Sequence, residues 1–153
     1  EVAGGYGLLE NLMLRANYTF TDSEQRTGAQ KGLPLTNTAE HMGNASLEWM
    51  ATDAFAMQLI AERRSERYRG SQDAAGNPLY YKGYSVLHLA AQYRFSENVR
   101  LAARINNLLD KDFTSFQTLW NQDAQGVYTP SYLDDYNNKD KSRNLWLSLN
   151  VGF

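Results

Sequence analysis

The sequence predicts an all-β fold of one kind, an antiparallel transmembrane β-barrel segment, and three observations carry that prediction. Apolar side chains recur at every second position in each apolar-rich window, the pattern of strands with one greasy face. Short turns alternate along the chain with long polar connections. The face opposite the apolar one carries charge, which suits a wet interior and not a dry core. A spanning helix would need about 20 mostly apolar residues. The longest stretch without Asp, Glu, Lys or Arg covers only 83–93.

The elements follow in chain order. Residues 1–7 read as the tail of a strand, and 11–22 as the first full one, with Leu12, Leu14, Ala16, Tyr18 and Phe20 on one face and Arg15, Asn17 and Thr19 between them. The parity repeats in 38–50 (Ala45, Leu47, Trp49), 54–68 (Phe55, Met57, Leu59, Ala61) and 83–95 (Leu87, Leu89, Ala91, Tyr93, Phe95). It continues in 98–108 (Val99, Leu101, Ala103, Ile105) and 142–153 (Leu145, Leu147, Leu149, Val151, Phe153). None of these positions is charged in a chain that is 21% charged. The window 45–67 is rich in Ala, Met, Leu, Glu and Arg and also suits an amphipathic helix, but Thr52-Asp53 in its middle reads as a tight turn between strands.

Turns are short at 9–11, 51–53 and 96–98 and the connections long at 22–37, 69–82 and 110–142. Outer-membrane barrels have this rhythm, short turns on the periplasmic side and long loops outside. A soluble β-sandwich would alternate too, but its strands average about five or six residues; those predicted here reach the length that a tilted membrane strand needs. Six strands and the tail of a seventh fall short of the smallest bacterial barrels, of about eight. The segment is therefore expected to be incomplete on its own, one portion of a larger barrel. A formal net charge of −2 argues against a nucleic-acid partner, and the lack of cysteine excludes a thiolate metal site. No cofactor or metal site is expected. Enzymatic chemistry is not expected either: His41 and His88 lie on different strands without carboxylates at metal-ligand spacing, and parity puts Ser85 and His88 on opposite faces.

Three stretches carry a family resemblance. Ile105-Asn106-Asn107-Leu108-Leu109-Asp110-Lys111-Asp112-Phe113 resembles the penultimate strand of TonB-dependent outer-membrane receptors running into an Asn-Leu-Phe-Asp-Lys-x-Tyr segment. Pro34-Leu35-Thr36-Asn37-Thr38-Ala39-Glu40-His41 is similar to their Pro-Glu-His strand entry, and Phe153 to the C-terminal aromatic that marks barrels for assembly. Leu109 departs from the commoner Phe, and Ala39 from Pro. The resemblance covers the whole chain and is nearest to ferric-siderophore receptors of the catecholate type. It implies the C-terminal six to seven strands of a barrel of about 22, with 1–153 lacking the plug and remaining strands, in the outer membrane of a Gram-negative bacterium. It further implies a ferric siderophore as ligand, the TonB complex acting through an absent N-terminal part, the barrel assembly machinery recognising Phe153, and no covalent chemistry. Haem, cobalamin or a carbohydrate as ligand, and a passive porin or adhesin, remain alternatives.

Candidate site residues fall into three sets. Parity carried on from Phe55 and Leu59 sends Arg63, Arg67 and Arg69 outward, towards lipid and lipopolysaccharide phosphates, and Arg64 inward towards an anionic ligand. The plainer alternative pairs these arginines with Glu62 and Glu66 at a solvated strand end. Arg15, Glu48, Glu62, Arg94, Arg100 and Arg104 line the lumen, where the resemblance implies contact with the plug. Loop aromatics Tyr80, Tyr81, Phe116, Trp120, Tyr128, Tyr132 and Tyr136 join Arg64 as ligand contacts, because Tyr and Trp offer large flat surfaces with a polar handle. Tyr81 and Phe113 suit a membrane-interface girdle equally well; Tyr93, Phe95 and Phe153 belong to the girdle at the other edge.

Overall fold

The computed structural model describes residues 1–112, 116–134 and 142–152. Those residues contain no helix, so 45–67 is two strands joined by a turn, with the Thr52 hydroxyl accepting from the N–H groups of Ala54 and Phe55. The strands are β1 (Val2–Leu9), β2 (Leu12–Phe20), β3 (His41–Met50), β4 (Phe55–Arg64), β5 (Arg67–Gln72), β6 (Pro78–Tyr81), β7 (Tyr84–Arg94), β8 (Val99–Asn106), β9 (Phe116–Gln122), β10 (Tyr128–Asp134) and β11 (Asn144–Val151). Seven of them form one antiparallel sheet in the order β1-β2-β3-β4-β7-β8-β11, which does not close on itself. The other four form two hairpins, β5-β6 and β9-β10. Both hairpins, with the 21–40 connection, lie at one end of the sheet, and all the short turns lie at the other.

Register converts the alternation of single strands into continuous rows. Tyr6, Leu14, Leu47, Leu59, Leu89, Ile105 and Leu145 are successive cross-strand partners, so one apolar row runs across the whole sheet. A one-residue slip would send every side chain of a strand to the other face; in this sheet the register is unbroken from β2 to β11 and shifts only in β1, between Gly7 and Leu9. The apolar face stays open: Leu145, Leu147 and Leu149 are each more than 60% exposed. Among the described residues the buried apolar side chains are only Ala39, Tyr68 and Val86. A face this apolar and this open is built to be covered by something other than the chain.

Rings bound that face at both ends. Phe55, Tyr93 and Phe95 pack near the short turns, Phe55 tilted against Tyr93 at 6.5 Å and Phe95 edge-on to it at 4.8 Å between centroids. Near the long connections Phe20 and Tyr18 flank His41, whose Nδ1 lies 2.7 Å from the Tyr18 hydroxyl. β4 has 10 residues, within the length of about 9–11 that a tilted membrane strand needs.

The sequence expectation errs at the long-connection end. The strand expected over 54–68 stops at Arg64, and the chain breaks step at Ser65 and Glu66 before β5 starts a separate sheet. Gly83 explains the tight turn: a Cβ there would lie 3.0 Å from the Arg64 carbonyl oxygen and the Glu66 nitrogen. The connections 69–82 and 110–142 are not simply loops, since each holds a hairpin.

Candidate functional site

On the polar face two of the expected lumen residues pair with each other and the rest engage separate partners or stand exposed. Arg15 Nε lies 3.4 Å from Glu48 Oε1, and Gln58 donates to the same oxygen at 3.3 Å. These residues sit on three adjacent strands, where register brings Met13, Glu48 and Gln58 into one row with Arg15 beside it. Glu62 meets His88 at 3.7 Å, and Arg104 donates to Asn106 Oδ1 at 2.7 Å. Arg94 instead bends to the short-turn end and donates to the Asp53 carbonyl at 2.8 Å, while Arg100 stands exposed opposite it in register. All six share the face opposite the leucine row.

At the long-connection end the arginines separate. Arg63 is on the apolar face and donates to the Ser85 hydroxyl at 2.8 Å; Arg64 is on the polar face, cross-strand from Met42 and Tyr84. Arg67 corrects the outward assignment. It is 3% exposed, donates to Asn37 Oδ1 at 3.2 Å, and lies 5.5 and 5.9 Å from the rings of Tyr81 and Tyr84. Burial pushes its guanidinium down from the ordinary value, with Arg64 acting in the same direction and the two tyrosines opposing. The parity argument failed because β5 is not a continuation of β4. Arg69, also expected outward, is half-buried and likewise turned to this cluster, 5.4 Å from the Tyr81 ring. Tyr81 is therefore a platform for two guanidinium groups, a cation–π arrangement stabilised further by desolvation. Tyr80 packs edge-on against fully buried Tyr68 at 6.0 Å.

The β9-β10 hairpin presents the other aromatics. Trp120 and Tyr128 share one of its faces and are 65% and 60% exposed. Phe116 and Tyr132 occupy backbone positions in the same ladder. Tyr136 and Phe153 lie outside the described residues, as does Phe113.

Two features escaped sequence reasoning. The first is Asn107, 1% exposed at a left-handed φ of 47°. Its side chain accepts from the Lys111 N–H and donates to the Lys111 carbonyl, both at 2.9 Å, and its own N–H donates to His88 Nδ1 at 3.3 Å. That acceptor role leaves the proton of neutral His88 on Nε2, towards Glu62. Asp110, at a φ of 51°, then accepts from the Arg143 N–H at 3.0 Å, tying the exit of β8 to the entry of β11. The second feature is a repeat, Gln72-Asp73-Ala74-Ala75-Gly76 and Gln122-Asp123-Ala124-Gln125-Gly126. In both copies the Asp carboxylate accepts backbone N–H groups two and four residues on, and the Gly takes a positive φ. An Asx-turn search over the polar segments would have found both tips. No cluster able to hold a metal ion occurs among the described residues.

The comparisons with known proteins agree with this geometry. The family model described as TonB dependent receptor-like, beta-barrel matches residues 1–108. The chain is 23% identical over 146 residues to the iron-regulated outer membrane virulence protein of Vibrio cholerae serotype O1, covering 95% of this chain and 20% of that protein. It is 28% identical over 81 residues to the catecholate siderophore receptor Fiu of Escherichia coli K12, covering 53% and 11%. The solved structure of Fiu matches with a TM-score of 0.65 at 20% identity, over 99% of this chain and 20% of that one. The copper transporter OprC matches with a TM-score of 0.64 at 18% identity, over 97% and 22%. The chain thus spans at most about a fifth of the length of these curated relatives.

Proposed function

Since the chain belongs to the TonB-dependent receptor-like β-barrel family of the outer membrane, we propose that it is the C-terminal part of a barrel that takes up a ferric siderophore, without covalent chemistry. The observation that carries this reading is the pairing of a charged polar face with exposed aromatics at the long-connection end. Arg64, Tyr80, Trp120 and Tyr128 form the ligand-contacting rim, with Phe116, Tyr132 and Tyr136 completing it and Tyr81 placed behind under its two arginines. Flat anionic chelates suit guanidinium forks and tyrosine and tryptophan faces. Arg15, Glu48, Glu62, Arg94, Arg100 and Arg104 face the lumen and the plug; their partly satisfied charges suit contact with a polar surface. TonB acts through segments outside this chain, Arg63 meets outer-leaflet lipid, and Phe153 serves barrel assembly. The V. cholerae relative is an iron-regulated outer membrane virulence protein and the E. coli one a catecholate siderophore receptor, which supports iron uptake.

The test is uptake of labelled ferric catecholate, ferric citrate, haem and copper by cells expressing the full-length protein, with and without TonB. TonB-dependent uptake of a ferric chelate, lowered in Trp120→Ala, Tyr128→Ala and Arg64→Ala variants, is the expected result. Uptake of every compound unchanged by these variants sinks the rim assignment, and TonB-independent flux sinks the receptor. OprC gives copper a specific claim as the second ligand to try.

A further inference from the structure

The lumen face is not electrically uniform. On β2, β3 and β4 it carries both signs, with Arg15 against Glu48 and Glu62 beside His88. On β7, β8 and β11 the same face carries Arg94, Arg100 and Arg104 and, among the described residues, no carboxylate. None of these three arginines forms an ion pair with a described residue. Arg94 and Arg100 are direct cross-strand partners, and like charges so placed cost stability unless an anion comes between them. Leu145, Leu147 and Leu149 take the lipid side of β11, so Trp146 stands exposed on the lumen face, directly opposite Arg104. The neighbours of this pair are small: Ala90 is the other cross-strand partner of Arg104, and Ala102 pairs with Ser148 in the next row. They floor a trough of about 650 Å³, with Trp146 and Arg104 in its wall.

An indole face beside a guanidinium, over a floor of small side chains, suits a flat anion: the ring stacks and the fork takes the charge. We propose that β7, β8 and β11 form a transit lane for the anionic ferric chelate along the barrel wall, with Trp146 and Arg104 as a binding station inside the barrel and Arg100 and Arg94 as the next one towards the short turns. This rests on the siderophore-uptake reading and adds to it a site separate from the outer rim. Charge selects the occupant, since three arginines without a carboxylate leave this half of the lumen face cationic while the β2–β4 half is paired. Size agrees, because small-molecule sites span about 300–1,000 Å³. Spacing makes the two stations distinct: Arg104 and Arg100 are four residues apart on β8, about 13 Å of strand. The station lies on the wall that the plug faces, so it is expected to fill only during TonB-driven transport.

The experiment follows a radiolabelled ferric tris-catecholate in cells expressing the full-length receptor, with and without TonB. Binding to cells lacking TonB reads the outer rim, and the uptake rate in cells with TonB reads the lane. Trp146→Ala, and Arg100→Gln with Arg104→Gln, are expected to leave rim binding unchanged and to slow uptake by up to about tenfold, the value of one good aromatic contact. Trp146→Phe and Arg104→Lys, which keep a ring and a charge, are expected to lose less. A fluorophore on Gln92→Cys, at the trough, reports passage directly, because ferric iron quenches it at close range: quenching is expected with TonB and not without it. Wild-type uptake rates in both variants, or transport by the labelled receptor without quenching, overturn the lane. Leakage of a large antibiotic without TonB, with chelate uptake unchanged, assigns these residues to plug contact alone and also overturns it. The two proposals fail differently: wild-type cells that take up no ferric chelate sink the uptake reading and the lane with it, whereas wild-type uptake that the variants leave unaltered sinks the lane alone.

Discussion

The seven-stranded sheet and the two hairpins above it are both antiparallel β-structure, yet they are held together by different physics. In the sheet, each strand is a repeat of the same two-residue unit, and its stability comes from rows that continue across neighbours, such as Leu47, Leu59 and Leu89. In the hairpins, order comes from local devices: an Asp carboxylate closing each tip, and in β5-β6 a buried arginine between tyrosine rings. The sheet tolerates change wherever the face is respected. The hairpins depend on single side chains.

That contrast can be broken most severely at the middle of the sheet. Leu59→Arg places a charge in the centre of the apolar row and should cost about 2–4 kcal/mol in a bilayer, measured by urea unfolding of the full-length receptor in vesicles. Gln58→Arg, one residue away on the polar face, should cost little. Equal costs would abolish the assignment of the two faces. Next in size is Asn107→Ala, which leaves two backbone groups of Lys111 without their partner and should cost about 2 kcal/mol. Asn107→Gly, which accepts the left-handed backbone, should cost less. Accelerated proteolysis after β8, with barrel melting little changed, is the expected signature.

Arg67→Ala should loosen β5-β6 by about 1–2 kcal/mol, read as faster amide exchange from 67 to 81 with exchange in β3 and β4 unaltered. Arg67→Lys, lacking the planar face, should recover only part of it. The smallest effect is a pH dependence. The Asn77 side-chain amide, and then its backbone N–H, hold the Asp73 carboxyl below the usual carboxylate range. A lowered carboxyl stabilises the tip above the unfolded-state value, and that contribution is lost as pH falls through the folded value. Nuclear magnetic resonance shifts of Asn77 should follow that titration, and Asp73→Asn should remove it.

The sheet was legible because period-two patterning is a property of each strand alone: Leu12 to Phe20 declares its face before any partner is known. The Thr52 turn and the division into short and long connections were legible for the same reason. Arg67 was not. Nothing between Arg63 and Arg69 changes in polarity, so parity ran on through a break that only Gly83, lying against Arg64 and Glu66 from further along the chain, reveals. Asn107 carries no local signal either, because its role depends on Lys111 and on His88 of the neighbouring strand. The twin Asp-Ala-x-Gly tips are legible in the sequence as Asx turns, since both the acceptor and the glycine are local.

By itself, then, the sequence determined which side of each strand is apolar, how many strands share a sheet and which end carries the long connections, since all three follow from local alternation and turn chemistry. The tertiary structure decided which arginine is buried and which is outward, which asparagine anchors the exit of β8, and where small side chains on different strands align into a trough. Those facts depend on register and on the approach of segments distant in the chain, and no local pattern encodes either.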